Sequence, residues 1–94
     1  MEKAILVEAN LERANLEKAI LIEANLARAN LIKAILTEAN LQEAVFRWSN
    51  LYKAKNVSLD QLSKVKILFD AKLDEELLIP LKEKYPTLFE ESDK

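Results

Sequence analysis

Apolar residues in the first half of the chain recur every five positions. Between residues 4 and 53 each unit of five opens with alanine, or once with Ser49, and usually closes with a charged residue. The third position is always a large apolar residue, and these residues form the predicted core. They are Leu6, Leu11, Leu16, Leu21, Leu26, Leu31, Leu36, Leu41, Phe46 and Leu51.

A five-residue period fits neither a helix nor a strand. A helix advances about 100° per residue, so a step of five rotates about 140° and spreads the leucines around the whole circumference. In a strand, neighbouring third positions such as Leu6 and Leu11 would point to opposite faces. If the chain instead turns a corner every five residues, each unit becomes one side of a square coil. The third residue and the alanine two before it then always point inward.

The Ala-Asn-Leu units resemble those of the pentapeptide repeat family over residues 4–53 without interruption. A short fixed repeat whose units cannot bury an apolar face alone is typical of a solenoid. The resemblance implies a mainly β fold, a right-handed quadrilateral parallel β-helix with four units per coil. Ten units make about 2.5 coils, in which residues twenty apart stack into ladders.

A helical coil is the alternative, because the repeat is rich in strong helix formers and contains no glycine. Ala-Ile-Leu also recurs every fifteen residues, starting at residues 4, 19 and 34, which is close to four helical turns. Several asparagines would then occupy helix-interior positions, which they disfavour. These are Asn10, Asn15, Asn25, Asn30 and Asn40.

The five-residue period fails at Asn56, where an inward leucine is expected. We therefore assign residues 1–57 to the β-helix and residues 58–94 to a C-terminal α-helical cap packed on the last coil, within one structural domain. Ser58 and Gln61 have the spacing of a capping box that begins a helix. The apolar residues that follow would share one face of that helix. They are Leu59, Leu62, Val65 and Phe69.

A second helix is predicted to begin at Asp74, where Glu75 and Glu76 suit the helix dipole. Its apolar stripe would consist of Leu77, Leu78, Leu81 and Tyr85. Pro80 predicts a break inside this segment, because proline lacks the N–H that an interior turn needs. Pro86 should end the helix, with Leu88 and Phe89 folding back onto the cap.

Composition narrows the chemistry. The chain has neither cysteine nor histidine, which excludes disulfides, thiolate metal sites and imidazole catalysis. The net charge of −2 gives no general attraction to nucleic acid or membranes, so neither is expected as a partner. We predict no catalytic residue, cofactor or metal. An N-terminus without an apolar signal region predicts a soluble, cytoplasmic protein.

Two outward groups are candidate interaction surfaces. Arg13, Lys33 and Lys53 should stack into a basic column able to hold a phosphate or an acidic partner, or should simply form a solvated face. Trp48 and Tyr52, beside Arg47, would form either an interaction patch or part of the surface beneath the C-terminal helices. We favour the solvated face for the column and the position under the helices for the aromatic residues.

Glu23 and Glu43 should also stack, which resembles a pair of catalytic carboxylates. Acid–base catalysis by such a pair requires a cleft and an environment that separates their pKa values. A column on a convex wall provides neither, so we expect no enzyme activity.

The first coil follows only three residues, so we expect its edge to be open and able to pair with another chain. We expect a non-catalytic structural or protein-interaction module whose partner is a second copy or another repeat chain. The family resemblance implies an alternative, a DNA-mimicking protein that binds DNA gyrase or topoisomerase with toxin-like or drug-protective effect. That mimicry requires a long, strongly negative rod, and residues 1–58 carry eight Lys and Arg against seven Glu.

Overall fold

The computed structural model describes residues 2–91, and its first part is a stack of coils. Parallel β-bridges join residues twenty apart, from Ile5 with Asn25 through Ile35 with Lys55. Twenty residues are four units, so each coil has four sides, as the repeat predicts. The bridges are isolated single-residue pairs rather than extended strands. No helix occurs in residues 2–57, so the helical alternative for the repeat is wrong.

Every corner of the coil is built in the same way. The amide of each unit's first residue donates to the carbonyl of the preceding third residue, as from Ala9 to Leu6 at 3.0 Å. The fifth residue between them has a positive φ, for example 61° at Glu8. A bond from residue i+3 to residue i with positive φ only at i+2 is the pattern of a type II turn. The repeat is therefore a turn every five residues.

The positive φ at each corner is adopted without glycine. From Lys3 to Lys53 the fifth positions have φ between 56° and 61°. Trp48 occupies one of them, and all the others are charged residues. A left-handed conformation costs roughly 1 kcal/mol for a residue with a Cβ. The amide of the same residue donates to the next coil, as from Arg13 to the Ile32 carbonyl at 2.8 Å. The corner residues from Lys3 to Lys33 all donate such an inter-coil hydrogen bond.

The interior of the stack is filled by the first and third residues of the units. In the second coil Ala24, Leu26 and Leu31 are each 0% exposed. Ser49 replaces alanine in one unit, and its hydroxyl donates to the Phe46 carbonyl at 2.9 Å, so its burial leaves no polar atom without a partner. Only a small residue fits beside each leucine.

The first helix, α1, is shorter than predicted and spans Leu59–Ser63. Its capping box is formed as expected, with Ser58 accepting from the Gln61 amide and Gln61 accepting from the Ser58 amide. The side-chain amide of Gln61 also donates to the Leu36 and Ala39 carbonyls at 2.8 and 3.0 Å. This glutamine therefore fastens α1 to the last carbonyls of the second coil.

The predicted boundary at residues 57 and 58 needs correction, because the chain rejoins the stack after α1. Ile67 pairs with Val45, and Lys72 pairs with Asn50, both in parallel bridges. The shared helical face proposed for Val65 and Phe69 does not form, because α1 has already ended. The two residues of each of these bridges are twenty-two apart in sequence instead of twenty. The stack extends beyond the predicted 2.5 coils, with the five-residue helix α1 as an insertion.

The second helix, α2, spans Glu75–Lys84 and contains Pro80, so the predicted break is wrong. The missing amide at Pro80 would have bonded the Glu76 carbonyl, and Glu76 is exposed to solvent that can replace the bond. Asp74 is the N-cap residue but makes no side-chain cap bond. Its carboxylate instead accepts from the Lys53 amide at 3.0 Å. α2 is therefore linked to the third coil at its first turn.

A 3₁₀-helix, Pro86–Phe89, follows α2 and returns the chain to the stack. The amide of Leu68 donates to the Leu88 carbonyl at 2.6 Å. Leu81 of α2 is 1% exposed, while Leu88 and Phe89 are half-buried against the core. Within residues 2–91 the helices are all too short or too polar to cross a membrane.

The alanine positions predict a strict size limit in the interior. We expect Ala29→Leu to destabilise the fold by roughly 1–3 kcal/mol, because the extra methylenes must enter a filled space beside Leu31. Ala27→Leu is the matched control: Ala27 is a half-exposed outward residue in the same corner, and the change there should be nearly neutral. Urea unfolding of both variants measures the difference, and equal stabilities would contradict an inward-facing alanine at position 29.

The return of the chain to the stack predicts unequal roles for two leucines after the repeat. Leu68 is fully buried, so Leu68→Ala should cost about 2–5 kcal/mol of unfolding free energy. Leu59 of α1 is 41% exposed, and Leu59→Ala should cost much less. The same unfolding measurement tests this. A larger loss at Leu59 would mean that α1, rather than the third coil, stabilises this end.

Candidate interaction surface

The first coil has a row of backbone groups on its lower side whose equivalents in the coils above are hydrogen-bonded to the coil beneath them. Asn25, Asn30 and Ile35 each donate an amide to the first coil and accept one from it, at 2.7–2.9 Å. One coil lower, Ile5, Asn10 and Asn15 direct the same two groups away from the stack. These amides and carbonyls have no hydrogen-bond partner among residues 2–91. Ile20 is left in the same way, because Asn40, one coil above it, bonds to Ala19 and Leu21. We call this edge, from Ile5 to Ile20, the open rim.

Apolar side chains are exposed along the open rim. Leu6, Leu11 and Leu16 are only partly buried, whereas the equivalent leucines of the second coil are 0% exposed. Ile5 is 83% exposed, and Val7 on the same side is 44% exposed. A surface that combines unpaired backbone groups with apolar side chains is suited to pairing with another β-chain.

The predicted basic column has the expected register. Asn10, Asn30 and Asn50 pair in series, which places Arg13, Lys33 and Lys53 one above another at about 4.8 Å per coil. Arg13 lies 3.9 Å from the Glu12 carboxylate, and the Lys53 ammonium lies 5.4 Å from the Tyr52 ring centre. Two of the three cations therefore have a local partner. Binding of a phosphate or acidic ligand by the column stays a prediction.

Trp48 and Arg47 lie on the side of the stack where the chain returns after α1. The Trp48 ring meets Phe69 edge-on with 6.0 Å between centroids, and the Arg28 guanidinium lies over it at 4.7 Å. The Arg47 Nε is 3.9 Å from a Glu91 carboxylate oxygen. Trp48 thus packs against the returning coil at Phe69. The sequence had favoured a position beneath the C-terminal helices. Tyr52 is 49% exposed beside the start of α2.

Glu23 and Glu43 occupy equivalent positions in successive coils, as predicted. Both are exposed, and the Lys3 ammonium lies 3.8 Å from Glu23. Neither lines the groove between α1 and α2. Among residues 2–91 no group of acidic side chains is arranged to hold a metal ion. The two carboxylates are part of an exposed surface column.

The asparagines have a role that the sequence did not reveal. In the units that contain asparagine, the amide of the fourth residue makes no backbone hydrogen bond among residues 2–91. Where the second residue is asparagine, its side-chain oxygen accepts from that amide, as from Ile32 to Asn30 at 3.0 Å. The same bond occurs at Asn10, Asn15, Asn25, Asn40 and Asn50. Each of these asparagines therefore stabilises the turn within its own unit.

The matched repeats decide the family. A model of pentapeptide repeats, with eight copies, matches residues 1–31 and 19–55, more than half of the chain. The chain belongs to the pentapeptide repeat family. A comparison with curated proteins gives no match. The family model ends near the end of the regular repeat, so the units that resume at residues 66–73 of this pentapeptide repeat protein lie outside it.

The asparagine turn predicts a measurable contribution at position 30. Asn30→Ala removes the acceptor for the Ile32 amide and should cost about 0.5–1.5 kcal/mol. Asn30→Asp keeps an acceptor oxygen at the same place and should cost less. Thermal or urea unfolding ranks the two variants against the parent chain. If aspartate is no better than alanine, the side-chain oxygen does not stabilise the corner.

Proposed function

We propose that this pentapeptide repeat protein is a non-catalytic interaction module that binds another polypeptide by adding that partner's β-coil to the open rim. The finer architecture we propose with it is a right-handed quadrilateral β-helix, open at its N-terminal side and capped by α1, α2 and the 3₁₀-helix. The observation that carries the proposal is the contrast between the two ends. Within the described residues 2–91 the rim leaves amides and carbonyls at Ile5, Asn10 and Asn15 without partners, whereas helix α1 contacts the other end through Gln61.

The geometry of the rim specifies the kind of partner. Its donors and acceptors recur on every side of the coil, so an extended strand could pair with one side only, whereas another coil could pair with all four sides together. The exposed leucines of the rim would then continue their ladders into the partner's interior. Pairing through the main chain gives affinity, and matched side chains give specificity, as in other β-additions.

The DNA-mimic alternative has no supporting observation here. The described residues form a body of 29 × 28 × 19 Å rather than an extended rod. Its outer columns mix cations with anions, as in Lys3, Glu23 and Glu43. We therefore do not propose binding to DNA gyrase or topoisomerase.

Adding a coil covalently tests whether the rim accepts one. A second copy of residues 4–23 inserted before residue 4 should extend the stack by four units, because the new coil can pair with Ile5, Asn10 and Asn15. We expect unfolding free energy to rise by on the order of 2 kcal/mol or more, since added repeats contribute an interface each. Amide hydrogen exchange at the three rim residues should also become slow.

The matched control carries the same insertion with its four third-position leucines changed to serine. It should give neither the added stability nor the slower exchange, because a coil without an apolar interior cannot stack. If the unmodified insertion behaves like this control, the rim does not accept a β-coil, and the proposed function fails.

A further inference from the structure

A groove runs along α2, at the end of the stack opposite the open rim. It consists of two depressions of about 470 and 360 Å³ that share Leu59 as a lining residue. One lies between α1 and the C-terminal half of α2, and the other lies between the start of α2 and the third coil. We propose that this groove binds an amphipathic helix of a partner protein, whose apolar face is flanked by two basic residues. The inference does not depend on the open rim.

The lining of the groove is largely apolar. Leu81 is buried there, whereas Leu59 and Tyr85 are 41% and 38% exposed. Pro80 and Leu77 line the groove from α2. Binding sites in proteins combine an apolar lining with a few polar groups that fix orientation. Exposed apolar side chains that converge on one groove therefore favour a partner with an apolar face.

Charged side chains around the groove are mostly acidic. Four carboxylates and one ammonium group line it, and they belong to Asp60, Asp74, Glu76, Glu83 and Lys84. Asp60 lies 3.3 Å from the Lys64 ammonium, and the Asp74 carboxylate accepts from a backbone amide of the third coil. Glu76 and Glu83 are exposed and make no ion pair within residues 2–91. Basic side chains on a partner are complementary to these two acids.

Pro80 adds a main-chain acceptor to the same side of α2. Proline has no N–H, so the Glu76 carbonyl lacks the bond that the fourth residue beyond it normally donates in a helix. That carbonyl points along the helix toward Pro80, which lines the groove. A guanidinium has five N–H donors in a planar fork, enough to bond a carboxylate and a carbonyl together. Arginine is therefore the basic residue that best matches Glu76.

The spacing of the two acids favours a helix over a strand as the partner. Glu76 and Glu83 are seven residues apart, which is about 10 Å along α2 at 1.5 Å per residue. Basic residues seven positions apart on a helix that lies along α2 have the same spacing and share one face. On an extended strand, residues of one face recur about every 6.7 Å, so none falls near 10 Å. Apolar residues midway between the two basic ones then face Leu59 and Pro80.

A designed peptide tests this match. The probe is an alanine-based helix of about sixteen residues, with two arginines seven positions apart and two leucines midway between them. It should shift the amide NMR signals of α1 and α2 and leave those of the first coil unchanged. The control peptide has the same composition with its arginines five positions apart, about 140° from each other around the helix. We expect the control to bind about threefold or more weakly, because one ion pair is lost.

Charge variants separate the groove from general electrostatic attraction. Glu76→Gln combined with Glu83→Gln should weaken binding of the probe about threefold to tenfold, because both ion pairs are lost. The matched control combines Glu8→Gln with Glu17→Gln, which removes the same charge from exposed residues of the first coil. Binding to the control variant should equal binding to the parent chain.

A second pair of variants tests the apolar part of the groove. Leu59→Ala should weaken binding of the probe about fivefold or more, because the leucine loses its apolar contact with the partner. Ile79→Ala is the matched control, since Ile79 is 55% exposed on α2 but lines neither depression. Urea unfolding of both variants verifies that each remains folded.

The outcomes decide the inference. Weaker binding by both groove variants and by the control peptide supports it. Equal binding of the two peptides, or equal effects of the two glutamine pairs, overturns it. If free arginine amide at the same concentration causes the same shifts, the groove takes a small cation instead of a helix, and the inference is wrong. None of these results bears on the added-coil experiment, because the open rim lies at the other end of the stack.

Discussion

Hydrogen bonding between residues twenty apart is the interaction on which the rest of the structure depends. Each unit donates and accepts across coils, and this ladder holds every fifth residue in a left-handed conformation that its side chain disfavours. The corners in turn direct alanine and leucine inward, so the interior can be filled. Pairing, corner and core therefore stabilise one another, and a unit removed from the stack would lose all three.

The same constraint explains why the ends of the stack matter. An inner coil has neighbours on both sides, whereas a terminal coil leaves a full row of polar groups and leucine side chains uncovered. At the C-terminal side the Gln61 side chain of α1 donates to the Leu36 and Ala39 carbonyls, to which no further repeat donates. At the other side the outward amides and carbonyls of Ile5, Asn10 and Asn15 have no partner among residues 2–91. The asymmetry of the molecule thus follows from where coils lack neighbours.

Sequence reasoning succeeded where the period is strict and failed where it is interrupted. Residues 4–53 determine side length, inward positions and stacking register, because each unit repeats the same physical solution. The return of the chain at residues 66–73 was missed, since the insertion shifts the spacing to twenty-two and the apolar residues around α1 also fit a helix. The sequence did carry a signal for this return. Leu68 and Leu73 are five residues apart, as third positions of successive units are, and they directly follow the bridged residues Ile67 and Lys72. The role of the asparagines needed backbone directions that no sequence pattern supplies.

Amide hydrogen exchange followed by NMR tests the coil pairing most directly. We expect slow exchange at Asn30 and Leu31, whose amides donate to the Ala9 carbonyl of the first coil and the Asn50 carbonyl of the third. We expect fast exchange at Ile22 and Thr37. These are fourth-position amides in units whose second residue is isoleucine instead of asparagine, and they have no partner among residues 2–91. Uniform protection along residues 20–40, as a helix would give, would contradict the account.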